Sequence, residues 1–343
     1  MTVFDLPGIQ TDMRLVDRYM MEFLPPEREQ GKMGEIIEAV MSAKGKRYRP
    51  LLLLLAGRCG PNFAQNRERL CKLGAIIELI HMASLVHDDI VDDSPLRRGQ
   101  QTIQSRFGKD MAVYTGDMIL GRLMRVMFQE DLGNAGALLG ETIEHMCRGE
   151  IGQFDSWFRV DRSVEDYLDN IYGKTVALFV TACRLGAMES GCDQKLTDTL
   201  AMYGLHLGYL FQLRDDLLDF VSDEKTEGKP IHMDFREGVF TLAVLYALAH
   251  REYHDAVKEL ASVARHGKFT SHHADRLDWV VRCSGGLTAT VAQIDAHQQE
   301  AARLAAALPV PEITKAFREI LKRLELPAYQ RQYADLVCVE QAV

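Results

Sequence analysis

Apolar residues recur at three- and four-residue spacing through most of this chain, which predicts helices over 33–43, 68–92, 111–129, 135–154, 164–185, 194–221 and 239–263. Another helix is expected to begin at Pro50, ahead of a leucine run, and two more close the pattern at roughly 289–307 and 311–326. Convincing strand alternation is absent. Prolines fall at the joints (Pro25-Pro26, Pro50, Pro95, Pro230, Pro309 and Pro311), so the stretches between them are long helices. With no fixed-period repeat and no low-complexity linker, the pattern predicts an all-α single domain over 1–343, with 289–343 as a helical appendix. One segment breaks it: 222–238 is polar, charged and glycine-bearing between two apolar helices. It is too long for a simple helix connection and reads either as a lid or binding loop or as a solvated surface loop.

Composition narrows the class. The 343 residues are 47% hydrophobic and 26% charged, which is ordinary for a globular protein and ample for a core. The net charge of −9 argues against a broad nucleic-acid footprint and leaves room for local basic patches. Seven cysteines, odd in number, scattered and without a CxxC, read as reduced thiols in a cytoplasmic protein, not as a disulfide frame or zinc site. The first residues lack a basic stretch followed by an apolar one, so no signal peptide is expected. The longest aliphatic run, Leu51 to Ala56, is too short to span a bilayer, and no membrane span is expected.

The chemistry lies in two acidic clusters. Asp88-Asp89-Ile90-Val91-Asp92 ends one apolar helix and Asp215-Asp216-Leu217-Leu218-Asp219 ends another, both in the pattern D-x-x-x-D with a second aspartate after the first. Positions i and i+4 share a helical face, so Asp88 stacks with Asp92 and Asp215 with Asp219. Like carboxylates at that spacing repel, and a helix C-terminus prefers cations. Hard oxygen ligands in paired clusters suit Mg²⁺, which keeps waters and shares phosphate oxygens of a substrate. Cations to meet an anion are also present. Lys44, Lys46, Arg47 and Arg49 precede the leucine-rich helix, whose N-terminus itself attracts anions. Arg97 and Arg98 follow the first cluster closely. Lys174-Thr175 opens an apolar run, Gln212 lies one turn before Asp215, and His81 shares a face with Ser84 and Asp88. Taken singly, each of these last residues reads as structural.

Taken together, the pieces resemble the trans-isoprenyl (polyprenyl) diphosphate synthases of medium- or long-chain type, dispersed in family order from about 44 to 243. The matches are Gly45-Lys46-Arg47-Tyr48-Arg49-Pro50, the first aspartate motif with Arg97-Arg98, Gly149-Glu150-Ile151-Gly152-Gln153, Lys174-Thr175 and the second aspartate motif. The resemblance implies a bundle of long helices around a deep central cavity, in a homodimer. It also implies roles. Lys46, Arg49, His81 and Arg98 would hold isopentenyl diphosphate. Arg97, Lys174, Thr175, Gln212 and Lys229 would contact an allylic diphosphate. Asp88, Asp92 and Asp215 would ligate Mg²⁺, with Asp89, Asp216 and Asp219 beside them. Where relatives often carry lysine or asparagine, and then proline, after the second motif, this chain has Val239 and Ala243, which implies altered affinity with activity retained.

The expected reaction is ionisation of the allylic diphosphate, attack by the isopentenyl double bond and loss of a proton, with no dedicated base visible in the sequence. Ala83 and Ser84, one turn before Asp88, are small, which predicts a product longer than farnesyl. Met118, Met124, Met127 and Phe128 are candidate deeper walls, although a methionine line more often belongs to the core. Three rivals are weaker. A terpene cyclase would not need Lys46 and Arg49. A di-metal carboxylate bundle needs two Glu-x-x-His pairs, and only Glu78-x-x-His81 occurs. A non-catalytic subunit would be expected to lose aspartates, whereas a catalytic subunit of a heteromer remains open.

Overall fold

Helices form wherever the long apolar runs placed them. A computed structural model describes residues 6–25, 31–43, 45–97, 99–221 and 232–327. In chain order these form α1 (Ile9–Phe23), α2 (Lys32–Ser42), α3 (Tyr48–Gly57), α4 (Phe63–Val91), β1 (Leu96–Arg97), β2 (Gln100–Gln101), α5 (Ile103–Phe107), α6 (Lys109–Gln129), α7 (Asn134–Asp155) and α8 (Val164–Ile171). A π-helical turn (Tyr172–Val176) follows, then α9 (Ala177–Glu189), α10 (Gln194–Val221), α11 (Met233–Glu237), α12 (Leu242–Ala249), α13 (His254–Arg265), α14 (Ser271–Cys283), α15 (Gly286–Ala306) and α16 (Pro311–Lys322). The antiparallel pair β1–β2 is the one sheet among the described residues. The protein is all-α.

Contacts gather the chain into two compact units. The first comprises 1–143, 178–201 and 308–317. At its centre lies α4, which buries Leu70, Leu73, Ile76, Ile77, Ile80 and Ala83 and packs against α1, α3 and α6. α3 is buried from Pro50 through Gly57, which is why its leucines carry no polar alternation. α1 is amphipathic, with Ile9, Met13, Val16, Met20 and Phe23 turned inward. By length and composition α4 could cross a membrane, a property that the short aliphatic runs did not suggest, yet 72% of its most apolar stretch is buried inside the protein. It is a core helix.

The second unit comprises 144–177, 202–307 and 318–343. Here α12, almost wholly apolar, is packed by α8, α13, α14 and α15. The helix expected over 239–263 is two helices, because the polar stretch His250–Tyr253 interrupts the apolar period and α12 ends with His250 extended. α14 was not legible, since most of its residues are polar and it buries Ala274, Leu277, Val280 and Val281. The expectation of reduced thiols throughout also needs correction. Cys59, Cys71, Cys147, Cys183 and Cys192 are free, but Cys283 is disulfide-bonded.

In this unit His206 of α10 and His297 of α15 face each other, with Nδ1 atoms 3.0 Å apart and the Tyr209 ring stacked on His297. Burial lowers both imidazoles, His297 to about 4 with His206 adding to it, and Glu300 and Arg303 pull His206 in opposite directions. A histidine held below its unfolded value near 6.5 contributes stability above that value, and loses it as pH falls toward the folded value. Melting temperature should therefore decline between about pH 6.5 and 4. Replacing both histidines by glutamine should flatten this part of the profile, and an unchanged slope in that double variant would count against the pair.

Candidate active site

In the first unit the acidic motif forms the last turn of α4. Asp88 and Asp92 are stacked one turn apart, and the Asp92 N–H donates to the Asp88 carbonyl at 2.9 Å. Asp89 points elsewhere: it is buried and accepts from Arg97 Nε at 2.6 Å. Burial raises its carboxyl above the ordinary value against the pull of Arg97. Arg97, read from sequence as a phosphate ligand, is thus committed to the motif's second aspartate. The sequence reading did not assign Lys109, which pairs with Asp93 at 2.8 Å just past the helix end.

The basic stretch divides its labour in a way that spacing does not reveal. α3 begins at Tyr48, so Pro50 is its third residue and not its first. Arg47 caps it with φ at 50°, a conformation uncommon outside glycine. Its guanidinium turns back to Glu78 at 2.9 Å and Asp17 at 3.7 Å. Glu78 therefore serves Arg47, which disposes of the Glu-x-x-His reading. Lys46 is exposed, 6.0 Å from the Tyr48 ring, and the Arg49 guanidinium lies 4.7 Å over the Phe179 ring. His81 is half-buried on α4, with its carbonyl accepting from Ser84 Oγ at 2.9 Å. Ala83 is fully buried and Ser84 half-buried. Two of the candidate deeper walls are corrected: Met124 and Phe128 face outward, because they fall on the solvent side of α6. An open hollow of about 500 Å³ lined by Met127, Phe128, Leu132 and Gly136 contains none of the predicted ligands. Lys44, Arg98 and Lys229, and residues 222–231 of the expected lid over 222–238, lie outside the described residues.

In the second unit the path from sequence to geometry runs through glycines. α7 and the π-turn cross so closely that a Cβ on Gly149 would lie 2.4 Å from the Lys174 nitrogen, and one on Gly173 would lie 2.4 Å from the His145 carbonyl oxygen. The continuous helix expected over 164–185 is interrupted there by the π-turn, a local widening often found at functional sites. The turn carries Lys174 and Thr175. Lys174 Nζ meets Glu150 at 3.0 Å. Thr175 Oγ1 donates to Gln212 Oε1 at 2.7 Å, and Gln212 Nε2 donates to Asp216 Oδ1 at 2.8 Å. The hydroxyl of Tyr167 donates to the other oxygen of Asp216.

The second aspartate motif is likewise split in function. Asp215 is exposed and Asp216 buried. Asp219 accepts from the backbone N–H groups of Met233 and Asp234 at 3.1 and 3.2 Å, so it caps α11. Of the expected loop, 233–237 is thus helical. Burial pushes Asp216 up to about 6 despite the hydrogen bonds from Tyr167 and Gln212, and Asp215 and Asp219 push it further. Asp234, which sequence reasoning missed, is raised well above the ordinary value by burial and then by Asp219, Asp216 and Asp215. Its signal was a lone aspartate in a polar segment, without spacing to mark it.

Such crowding of carboxylates is the environment a divalent cation relieves, and the donors are all hard oxygens, so the residues fit Mg²⁺. Among the described residues no three acidic, histidine or cysteine side chains are already gathered as a metal-binding group.

Comparison with known proteins agrees with this chemistry. A family model described as polyprenyl synthetase matches residues 30–283. Heptaprenyl diphosphate synthase component 2 of Geobacillus stearothermophilus is 40% identical over 233 residues, 67% of this chain and 71% of that protein. Geranylfarnesyl diphosphate synthase of Aeropyrum pernix is 31% identical over 310 residues, 83% of this chain and 95% of that one. The crystal structure of a polyprenyl synthase from Caulobacter crescentus, complexed with calcium and isoprenyl diphosphate, superposes with a TM-score of 0.81 at 31% identity, covering 92% of this chain and 94% of that one.

Proposed function

This chain belongs to the polyprenyl synthetase family, and from that premise we propose that it condenses isopentenyl diphosphate with an allylic diphosphate to give an all-trans polyprenyl diphosphate longer than farnesyl. The observation that carries the reading is the crowded carboxylate group of Asp215, Asp216, Asp219 and Asp234, in the same unit as a lysine and threonine presented on a π-turn. Acids that repel one another are arranged for a polyanion that arrives with metal.

Mg²⁺, when bound, would neutralise charge on the leaving diphosphate as the C–O bond breaks. Asp88 and Asp92 of the first unit would hold such an ion, and so would Asp215 of the second. Lys174 and Thr175 would bind the allylic diphosphate and orient it, with Glu150 and Gln212 fixing their side chains. Lys46, Arg49 and His81 would bind isopentenyl diphosphate, with Arg98 and Lys229 completing the two phosphate sites. Arg97, tied to Asp89, would act by holding the first motif in place. The proton lost after attack would pass to the departing diphosphate.

An incubation of the full chain with farnesyl diphosphate, isopentenyl diphosphate and Mg²⁺, with products sized by mass spectrometry, tests the reading. A ladder ending at one length between hexaprenyl and octaprenyl is expected; consumption of farnesyl diphosphate without elongation would point to a cyclase. Ala83→Phe should shorten the terminal product, because the added ring would fill the space one turn before Asp88. An unchanged product length would remove Ala83 from that role.

A second reading has its own support. α6 exposes Tyr114, Met124 and Phe128, at 66%, 65% and 88%. Single exposed apolar residues are common, whereas several on one helix suggest a covered surface. We take the cover to be a second copy of the chain, in the cytoplasm. The name of the Geobacillus relative, a component 2, makes a separate partner subunit the alternative. Elongation by the isolated chain, eluting as a dimer, would favour the first.

A further inference from the structure

In the second unit a buried tyrosine reaches the second aspartate motif. Tyr167 is 2% exposed, yet its hydroxyl ends on a carboxylate of the second motif. A capping box fixes its position. Ser163 Oγ accepts from the Asp166 N–H at 3.0 Å and Asp166 Oδ2 accepts from the Ser163 N–H at 3.1 Å, which caps α8 at Ser163 and starts the helix at Val164, three residues ahead of Tyr167. The Arg162 guanidinium covers the ring at 5.6 Å. From the hydroxyl a chain of hydrogen bonds leads away: Tyr167 to Asp216 Oδ2, Gln212 to Asp216 Oδ1 and Thr175 to Gln212 Oε1. Both oxygens of Asp216 therefore carry protein donors, and in this arrangement its carboxylate ties α8, α10 and the π-turn together. The far end of the chain has little slack, because the Gly149–Gly173 crossing brings backbone against backbone on the other side of the turn.

We propose that Tyr167 is a positioning residue for the allylic-diphosphate half of the site: its hydroxyl holds Asp216 and, through Gln212 and Thr175, sets Lys174 on the π-turn in register with Asp215 on α10. The proposal rests on the prenyl-transfer reading above and deepens it. Removing the hydroxyl leaves a buried carboxylate oxygen without its donor, so Asp216 turns to recruit another and frees Gln212 from Thr175. The lysine's neighbourhood then loosens while the ring, its burial and the arginine over it remain. On the reading above Lys46, Arg49 and His81, which belong to the first unit, bind the other substrate, so the expected effect falls on the allylic diphosphate.

Tyr167→Phe in the full chain is the test. The KM for farnesyl diphosphate, and the Kd for farnesyl thiolodiphosphate with Mg²⁺ by calorimetry, should each rise about tenfold, the value of one charge-assisted hydrogen bond. The KM for isopentenyl diphosphate should stay within about twofold, a split that a general loss of stability would not produce. In an Asp216→Asn background, where the charged acceptor is already gone, the same substitution should change the thiolodiphosphate Kd by less than about threefold. Equal weakening of both substrates, an undiminished effect in the Asn background or no effect at all would each overturn the proposal. Loss of the folded state would assign Tyr167 to the fold instead and overturn it too. If the wild-type chain itself neither elongates farnesyl diphosphate nor binds the thiolodiphosphate, the failure lies with the prenyl-transfer reading.

Discussion

Asp215→Asn is expected to lower kcat about a thousandfold while leaving the metal-free protein at least as stable as wild type. The two halves of this expectation have one cause. Asp215 adds to the charge that raises Asp216 and Asp234, and it is itself exposed near the end of α10, so removing its charge relieves those two carboxyls. Asp216 shows the sign. Its folded value of about 6 lies above the unfolded value, so its contribution to stability is present below the unfolded value and is lost as pH rises through about 6. At neutral pH the acidic group is thus a standing cost, and removing one member lightens it. Catalysis has the opposite interest, since the same charge is what would draw Mg²⁺ to the leaving diphosphate.

Thermal melts with and without Mg²⁺ separate these effects. Mg²⁺ should raise the melting temperature of the wild type more than that of Asp215→Asn, because binding to the native state stabilises it by mass action. Asp219→Ala should behave differently. That carboxylate accepts from two backbone N–H groups at the start of α11, so its loss should cost about 1 kcal/mol of stability. Equal melting behaviour of the two variants would contradict the division of labour within the motif, and near-normal turnover by Asp215→Asn would remove it from the metal set.

The helices were legible where an apolar period runs unbroken. The expected 194–221 matches α10 residue for residue, and 111–129 and 135–154 match α6 and α7 to within two residues at either end. Legibility failed where a polar residue is buried by a distant partner or where backbone geometry overrides the period. The π-turn is invisible to an apolar pattern, because it depends on Gly149 meeting Gly173 from another helix. Within the site, the motifs located the right residues but not their division of labour. Asp89 and Arg97 engage each other, Arg47 turns to Glu78, Asp216 turns to Tyr167, and Asp219 caps a helix. Each of these choices is made by a residue at another point of the chain, and spacing along one helix holds no record of it. Tyr167 was missed for the same reason: a tyrosine in an amphipathic helix gives no sign that its hydroxyl ends on a carboxylate 49 positions later.

Asp12→Ala should destabilise the fold by about 3 kcal/mol, the largest effect expected outside the catalytic groups. In sequence Asp12 looks like a residue of the polar face of α1, and in structure it is fully buried. Arg58 Nη2 reaches its Oδ2 at 2.6 Å and Arg67 Nε reaches its Oδ1 at 2.5 Å. Arg58 also donates to the Pro7 carbonyl at 2.9 Å and lies 5.0 Å over the Phe63 ring. One carboxylate thereby fastens α1 to the junction of α3 and α4, the helices whose far ends carry the basic stretch and the first aspartate motif. Its removal leaves the guanidinium of Arg58, 17% exposed, without its counter-charge, which is why the cost exceeds that of a surface pair. Arg67 is 40% exposed and can return to water, so Arg67→Ala should cost less than about 1 kcal/mol. Denaturant unfolding of the two variants measures the asymmetry directly. If Asp12→Ala cost no more than Arg67→Ala, the buried acid would be shown to hold nothing that its partners do not already hold without it.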